Sequence, residues 1–158
     1  MLTKVQTSLA RTASTQWDAT SYQQFARLRE RPVLELLDHV DLQHPQRIYD
    51  LGCGTGIATQ LLAKRWPMAD LTGVDSSAEM LEEATYLPIK ALWQKCDVQQ
   101  SRAHRPADLL FAAAVLHFIS DHETLTPLLL SQLNPGGCLA AHMPNWRDAL
   151  RYELMLET

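Results

Sequence analysis

The sequence is short of cysteine, of basic charge and of long apolar runs, and each shortage narrows what the chain does. Its three cysteines, Cys53, Cys96 and Cys138, stand more than 40 positions apart. That fits neither a disulfide framework nor the close ligand spacing of a zinc site. They are expected to be reduced thiols packed as small hydrophobes, with no metal centre. Lysine and arginine number 14 against 18 acids, a net charge of -4, so the basic footprint of a nucleic-acid binder is missing. A small-molecule partner is expected instead. No apolar run approaches the roughly 20 residues that cross a bilayer, and the first residues lack the apolar stretch of a secretory signal. No membrane partner and a cytoplasmic location are therefore expected. Residues 1–16 carry Lys4, Arg11 and many Ser and Thr but no acid. They resemble a transit peptide only faintly and are read as a flexible polar leader before one domain at 17–158. The chain has 158 residues, 46% of them hydrophobic, which suits one core rather than two.

Periodicity supplies the elements. Tyr22, Phe25, Ala26 and Arg29 suggest a short helix, and Val33, Leu34, Leu36, Leu37 and Val40 trace the face of a second, with Pro32 as its first residue. Five apolar runs bounded by turn residues follow, at 47–51, 70–75, 91–98, 108–115 and 138–143, and read as strands. The intervals between them carry helical spacing, as in Ala58, Leu61, Leu62 and Trp66, or Leu125, Leu128, Leu129 and Leu133. Strands alternating with helices argue a parallel α/β sheet covered on both faces. The polar, proline-ended interval 99–106 is expected to be irregular.

Asp50-Leu51-Gly52-Cys53-Gly54-Thr55-Gly56 follows an apolar strand and opens an amphipathic helix. Glycines there allow positive φ and close approach of a ligand to the backbone. The amides of a helix N-terminus suit an anionic ligand group. Two ligands fit such a turn, S-adenosylmethionine (SAM) and a dinucleotide. The dinucleotide fingerprint needs a third glycine at position 57, which is Ile57. Asp50 would also repel a pyrophosphate, whereas it suits the cationic amino group of SAM. Asp75, at the end of the second strand, can accept both ribose hydroxyls, although Asp75-Ser76-Ser77 can also simply cap the next helix. Asp97, ending the third strand, can receive an adenine amino group.

Together with Gly73-Val74-Asp75-Ser76-Ser77, Met80-Leu81 and the late turn Leu133-Asn134-Pro135-Gly136-Gly137, the glycine segment resembles class I SAM-dependent methyltransferases. Trp17, Tyr22, Phe25, Arg29, Arg31 and Pro32 upstream, with Asp121-His122 and Met143-Pro144, are similar to the trans-aconitate 2-methyltransferases. Malonyl-carrier-protein methyltransferases share part of the pattern. The resemblance implies a doubly wound, Rossmann-like sheet of order 3-2-1-4-5. It implies that Asp50, Gly52 and Gly54 line the methionine part of the cofactor, that Asp75 binds ribose and that Asp97 with Val98 borders adenine. Cys53, Gly56, Ser76 and Met80 count with the cofactor-binding residues, and the segment holding Tyr22 and Arg29 would fold over the cofactor. Residues 111–117 would lead into the methyl-transfer pocket. Members of the group continue past the fifth strand, whereas this sequence stops at Thr158. The fifth strand is then expected to be an exposed edge through which two chains pair.

The chemistry this resemblance implies is O-methylation of a small carboxylic acid. An acceptor carboxylate, with a pKa near ~4, is already ionised at neutral pH and needs no base. His117 is the one candidate for a base or acceptor-orienting group; as a half-buried histidine bonded to backbone it would have no such role. Trp66, Trp93 and Trp146 are expected to pack rather than form an aromatic box. Arg147 and Arg151 are candidates to meet an acidic substrate. The alternative function is a SAM-binding or interaction module without turnover, and a nicotinamide dehydrogenase is disfavoured by Ile57 and Asp50.

Overall fold

The computed structural model describes residues 26–144. The expectations for the leader, Trp17, Tyr22, the side chain of Arg29, Trp146, Arg147 and Arg151 lie outside the described residues. The chain runs α1 (Ala26–Asp38), β1 (Arg47–Leu51), α2 (Ile57–Arg65), β2 (Asp70–Asp75), α3 (Ala78–Thr85), β3 (Leu92–Lys95), β4 (Ala107–Ala113), a 3-10 turn (Leu116–Phe118), α4 (His122–Leu130) and β5 (Leu133–His142). All strand pairs are parallel, in the order β3-β2-β1-β4-β5. This is the doubly wound arrangement expected from the alternation of strands and helices.

Neighbouring residues along β1 serve opposite layers. Ile48 joins Val33 and Leu37 of α1, Leu62 of α2, and Leu109 and Phe111 of β4 in one cluster. Tyr49 and Leu51 join Leu110 and Ala112 of β4 and Leu125 and Leu129 of α4 in the other. A sheet buried on both faces needs such near-continuous apolar strands.

The structure corrects several boundaries. Among the described residues, α1 runs through Pro32, where a second helix was expected to begin. A proline inside a helix costs about 3 kcal/mol. Burial of Val33, Leu37 and the following Val40, exposed by 6%, 4% and 2%, contributes about 1.5–3 kcal/mol each and outweighs it. β3 ends at Lys95 instead of Val98, because the chain turns there: Asp97 Oδ1 accepts the Gln99 amide at 2.8 Å, and the Asp97 carbonyl accepts the Gln100 and Ser101 amides. β4 ends at Ala113, since Ala114 takes φ 53°, which breaks the strand. β5 begins at Leu133, which belongs to this strand and not to the preceding helix. Between the pairs Ala107↔Leu133 and Leu109↔Cys138 the register shifts, so the Asn134–Gly137 turn loops out within the strand.

Capping sets the helix starts. Ser77 Oγ accepts the Met80 amide at the head of α3, and Asp121 Oδ1 the Thr124 amide at the head of α4. The cysteines are free thiols. Trp66 is buried with Nε1 donating to the Leu42 carbonyl at 3.2 Å. Trp93 packs against Gly73, where an added Cβ would come within 2.5 Å of its ring. Both tryptophans therefore pack, as expected. No helix among the described residues is long and apolar enough to cross a membrane.

Candidate functional site

The sheet order reverses beside β1: the chain moves outward through β2 and β3, then returns to place β4 on the other side of β1. In such sheets the crevice at the carboxyl ends of the strands flanking that reversal takes ligands. The glycine turn after β1 and Ala114 after β4 meet there.

The turn is tied down from beneath. Gly52 and Cys53 amides both donate to the Val74 carbonyl, at 2.7 and 3.0 Å. Gly52 sits at φ 68°, and an added Cβ would come within 2.3 Å of Val115 Cγ2, so only glycine fits. The Gly54 amide donates to Asp75 Oδ2 at 2.8 Å, and the Ser77 amide to Asp75 Oδ1 at 2.9 Å. Asp75 thus performs the capping role and also latches the glycine turn to the end of β2. The amides of Gly52, Cys53, Gly54 and Gly56 all bond within the protein.

Two cavities meet at this turn. A cleft of about 430 Å³ is lined by Gly52, Gly54, Asp75, Ser76, Met80, Asp97, Val98, Gln99, Ala114, Val115, Phe118 and Ile119. A second cavity of about 390 Å³ is lined by Pro32, Val33, Gly52, Cys53, Gly54, Thr55, Ile57, Ala58, Ala113, Ala114, His142, Met143 and Pro144. Gly52, Gly54 and Ala114 border both, so the glycine turn is the sill between them. Each volume falls in the range of small-molecule sites, ~300–1,000 Å³. The first cavity holds the carboxylates. The second is largely apolar.

Of the residues singled out from the sequence, Gly52, Gly54, Asp75, Ser76, Met80, Asp97 and Val98 come together in the first cleft, and Cys53 lines the second cavity. Asp97 does so from the turn after β3 rather than from the strand end. Three residues stand elsewhere. Gly56 lines neither cavity: an added Cβ there would meet Leu87 Cδ1 at 2.6 Å and the Trp93 ring at 3.0 Å, so its place is a packing seat under Trp93. His117 lines neither cavity. It is half-buried in the 3-10 turn with its ring 4.0 Å from that of Phe118, and burial, reinforced by His142, holds its pKa below the usual value. Asp50 also lies behind the wall instead of lining it.

Asp50 is 1% exposed. Its Oδ2 accepts the Thr59 hydroxyl at 2.6 Å, while Oδ1 has no partner among the described residues. Burial pushes its pKa up to about 7; the Thr59 bond opposes this and the Asp75 charge adds to it. Burial, with the charges of Asp50 and Asp75, also pushes the Cys53 thiol well up, so Cys53 is a neutral thiol. Sequence reasoning missed Thr59, although its spacing beside Ala58 and Leu62 on α2 marks the inward face. It also missed Gln99, Phe118 and Ile119, which lie in or beside short turns too brief for a hydrophobic period. The ring of His142 is half-buried and its pKa is lowered by burial.

These residues fit the cofactor that the glycine turn suggested. A carboxylate stands beside the turn, a second carboxyl with an oxygen unpartnered among the described residues precedes it, and an added Cβ at Gly54 meets nothing within 4 Å.

Comparison with known proteins agrees. Among the relatives is the trans-aconitate 2-methyltransferase of Pseudomonas paraeruginosa (strain DSM 24068 / PA7), 72% identical over 143 residues, which are 90% of this chain and 52% of the relative. The chain spans about half the length of the curated relatives it matches. Among solved structures, the plantazolicin methyltransferase BpumL in complex with pentazolic desmethylPZN analog and SAH is 27% identical, with a TM-score of 0.65 over 86% of this chain and 52% of that one. The DhpI-SAM-HEP complex shares the fold, with a TM-score of 0.69 at 22% identity over 89% of this chain and 66% of that one. The model of the methyltransferase domain matches residues 48–137, more than half of the sequence, and the chain belongs to that family.

Proposed function

We propose that the chain binds SAM across the two cavities and serves transfer of its methyl group to a carboxylate of a small acid, trans-aconitate being the acid named in the curated relatives. The observation that carries this reading is Asp50: a carboxyl two residues before the glycine turn, with one oxygen unpartnered among the described residues, repels a pyrophosphate in its anionic form and suits an ammonium group. Ile57, where a dinucleotide site needs its third glycine, points the same way.

In this reading Asp75 accepts the ribose hydroxyls with the lone pairs left after its two amide bonds. Asp97 and Val98 border adenine, Met80 packs against it, and the methionine part crosses the sill at Gly52 and Gly54. When bound, the cofactor supplies a methyl group on a cationic sulfur, electrophilic without further activation. The chain's own task is then alignment and exclusion of water, which the walls Val33, Ile57, Ala58 and Met143 provide. The acceptor carboxylate, ionised above pH ~4, needs no proton removed. That removes the need for His117 as a base.

A second reading, a SAM-binding module without turnover, is favoured by one observation: no lysine or arginine among the described residues lines either cavity to receive an acid. Cytoplasmic work, and pairing of two chains along the side of β5 that faces no strand among the described residues, are part of the proposal. Titration calorimetry with S-adenosylhomocysteine (SAH), followed by mass detection of methyl trans-aconitate, tests it. Saturable SAH binding with ester formation supports the first reading, binding without product supports the second, and no binding by a folded chain overturns both. A sizing column tests the pairing, which a monomer in solution overturns.

A further inference from the structure

Among the described residues, none that packs on Asp50 brings it a positive charge. In the sheet its neighbours are Gly73 of β2 and Phe111 of β4. From α1 the same layer receives Val33 and Leu37. The turn brings Cys53, a neutral thiol. The other charge acting on it is the carboxylate of Asp75, which has its own sign. From α2 comes Thr59, 0% exposed, whose hydroxyl bonds Oδ2 at 2.6 Å and whose backbone amide also favours the anion. Oδ1 is left without a partner among the described residues.

A buried carboxylate in this setting either keeps its proton or awaits a cation from outside the described residues. Gly52, two residues on, borders both cavities. A cation seated against it would act on Asp50, two residues away in the chain, across a buried region of low dielectric.

Resting on the reading that the chain binds SAM, we infer that Thr59 is a positioning residue that holds Asp50 for the cationic amino group of the cofactor, and that cofactor binding releases to solvent the proton that Asp50 carries without it. The O–H bond of the carboxylic acid breaks, its electron pair stays on Asp50, and the proton passes to buffer. Thr59 acts through Asp50 because its hydroxyl donates to the anion more strongly than to the acid. The pKa of about 7, set by burial against the Thr59 bond with Asp75 adding to it, puts the exchange at neutral pH.

The test is calorimetric titration of the chain with SAH, which carries the same amino group, near pH 7 in buffers of different ionisation enthalpy. The binding heat should vary with buffer by an amount equal to about half a proton released, and the dissociation constant should rise about tenfold per pH unit well below the midpoint. Thr59→Val should move that midpoint to higher pH and Thr59→Ser should restore it. Asp50→Asn should abolish the buffer dependence. An infrared carboxylic-acid band that titrates near neutrality in the cofactor-free chain, and is absent from Asp50→Asn, is the matching observation without ligand. Equal binding heats in all buffers, or a pH profile that Thr59→Val leaves in place, overturns the inference while the SAM reading stands. A folded chain that binds no SAH overturns the SAM reading and this inference with it.

Discussion

Asp75→Asn probes the latch and the cofactor cleft in one substitution. The carboxylate accepts the Gly54 amide at 2.8 Å through one oxygen and the Ser77 amide at 2.9 Å through the other. Asparagine keeps the size and one carbonyl oxygen, but sets an NH2 group against the second amide, so one bond becomes two opposed donors. A hydrogen bond to a charged group contributes about 1.5–3 kcal/mol, and because Asp75 is half-exposed the lower figure applies. For a chain of this size each kcal/mol moves Tm by roughly 2–4 °C. The expected loss is therefore about 3–6 °C in the absence of ligand. If Asp75 also accepts ribose hydroxyls, SAH affinity falls by a further ~10- to 100-fold, from about 1.4–2.8 kcal/mol. Thermal unfolding and calorimetric titration of the folded variant read the two effects separately. Wild-type SAH affinity would refute the ribose assignment, and an unchanged Tm would refute the latch. Asp75 also helps to hold the Asp50 pKa up. Its neutralisation should therefore move the pH midpoint of SAH binding down, opposite in sign to the effect of Thr59→Val.

Gly52→Ala and Gly54→Ala should separate space from backbone strain. Both residues have positive φ, but the added methyl strikes Val115 at 2.3 Å in the first and meets nothing within 4 Å in the second. Gly54→Ala should cost about 1–2 kcal/mol for the left-handed backbone, and Gly52→Ala a further ~1–3 kcal/mol of overpacking, read by urea unfolding; equal losses would contradict the geometry. For the cofactor-free chain, a folded pKa of about 7 at Asp50 against an ordinary 3.8 means that the folded state holds the proton more tightly. Asp50 should therefore make stability fall as pH rises from about 4 to 7, by up to about 1.4 kcal/mol per pH unit. Asp50→Asn should remove that slope, and urea curves that decline alike in both forms would exclude it. His117→Gln should leave the rate of methyl transfer within a few-fold, because the ring borders neither cavity. A loss of ~10²–10⁴-fold would restore His117 as a general base.

Much of the scaffold was legible because its signals are local. β1 and β2 fall at 47–51 and 70–75, as their apolar runs bounded by turn residues indicate. The interval 99–106 is irregular, as its polarity and terminal proline indicate. Pro32 misled because its rule is also local: taken alone it starts a helix, but burial of Val33, Leu37 and Val40 carries α1 through it. The ends of β3 and β4 were overrun because turn bonds at Asp97 and the positive φ of Ala114 stop them, and apolar composition reports neither.

By itself, the sequence determined the alternation that makes a parallel sheet, the turn at Gly52–Gly56 and the carboxylates near it, since glycine, charge and hydrophobic period act within a few residues. Only the tertiary structure decided what each of those residues does. Asp75 reaches back 21 positions to hold Gly54, Trp93 takes the space that makes Gly56 and Gly73 packing positions, and α2 presses Thr59 onto one oxygen of Asp50 while the other goes without a partner among the described residues. The division follows from range: conformational preference belongs to neighbours along the chain, whereas burial, pairing and ionisation belong to neighbours in space.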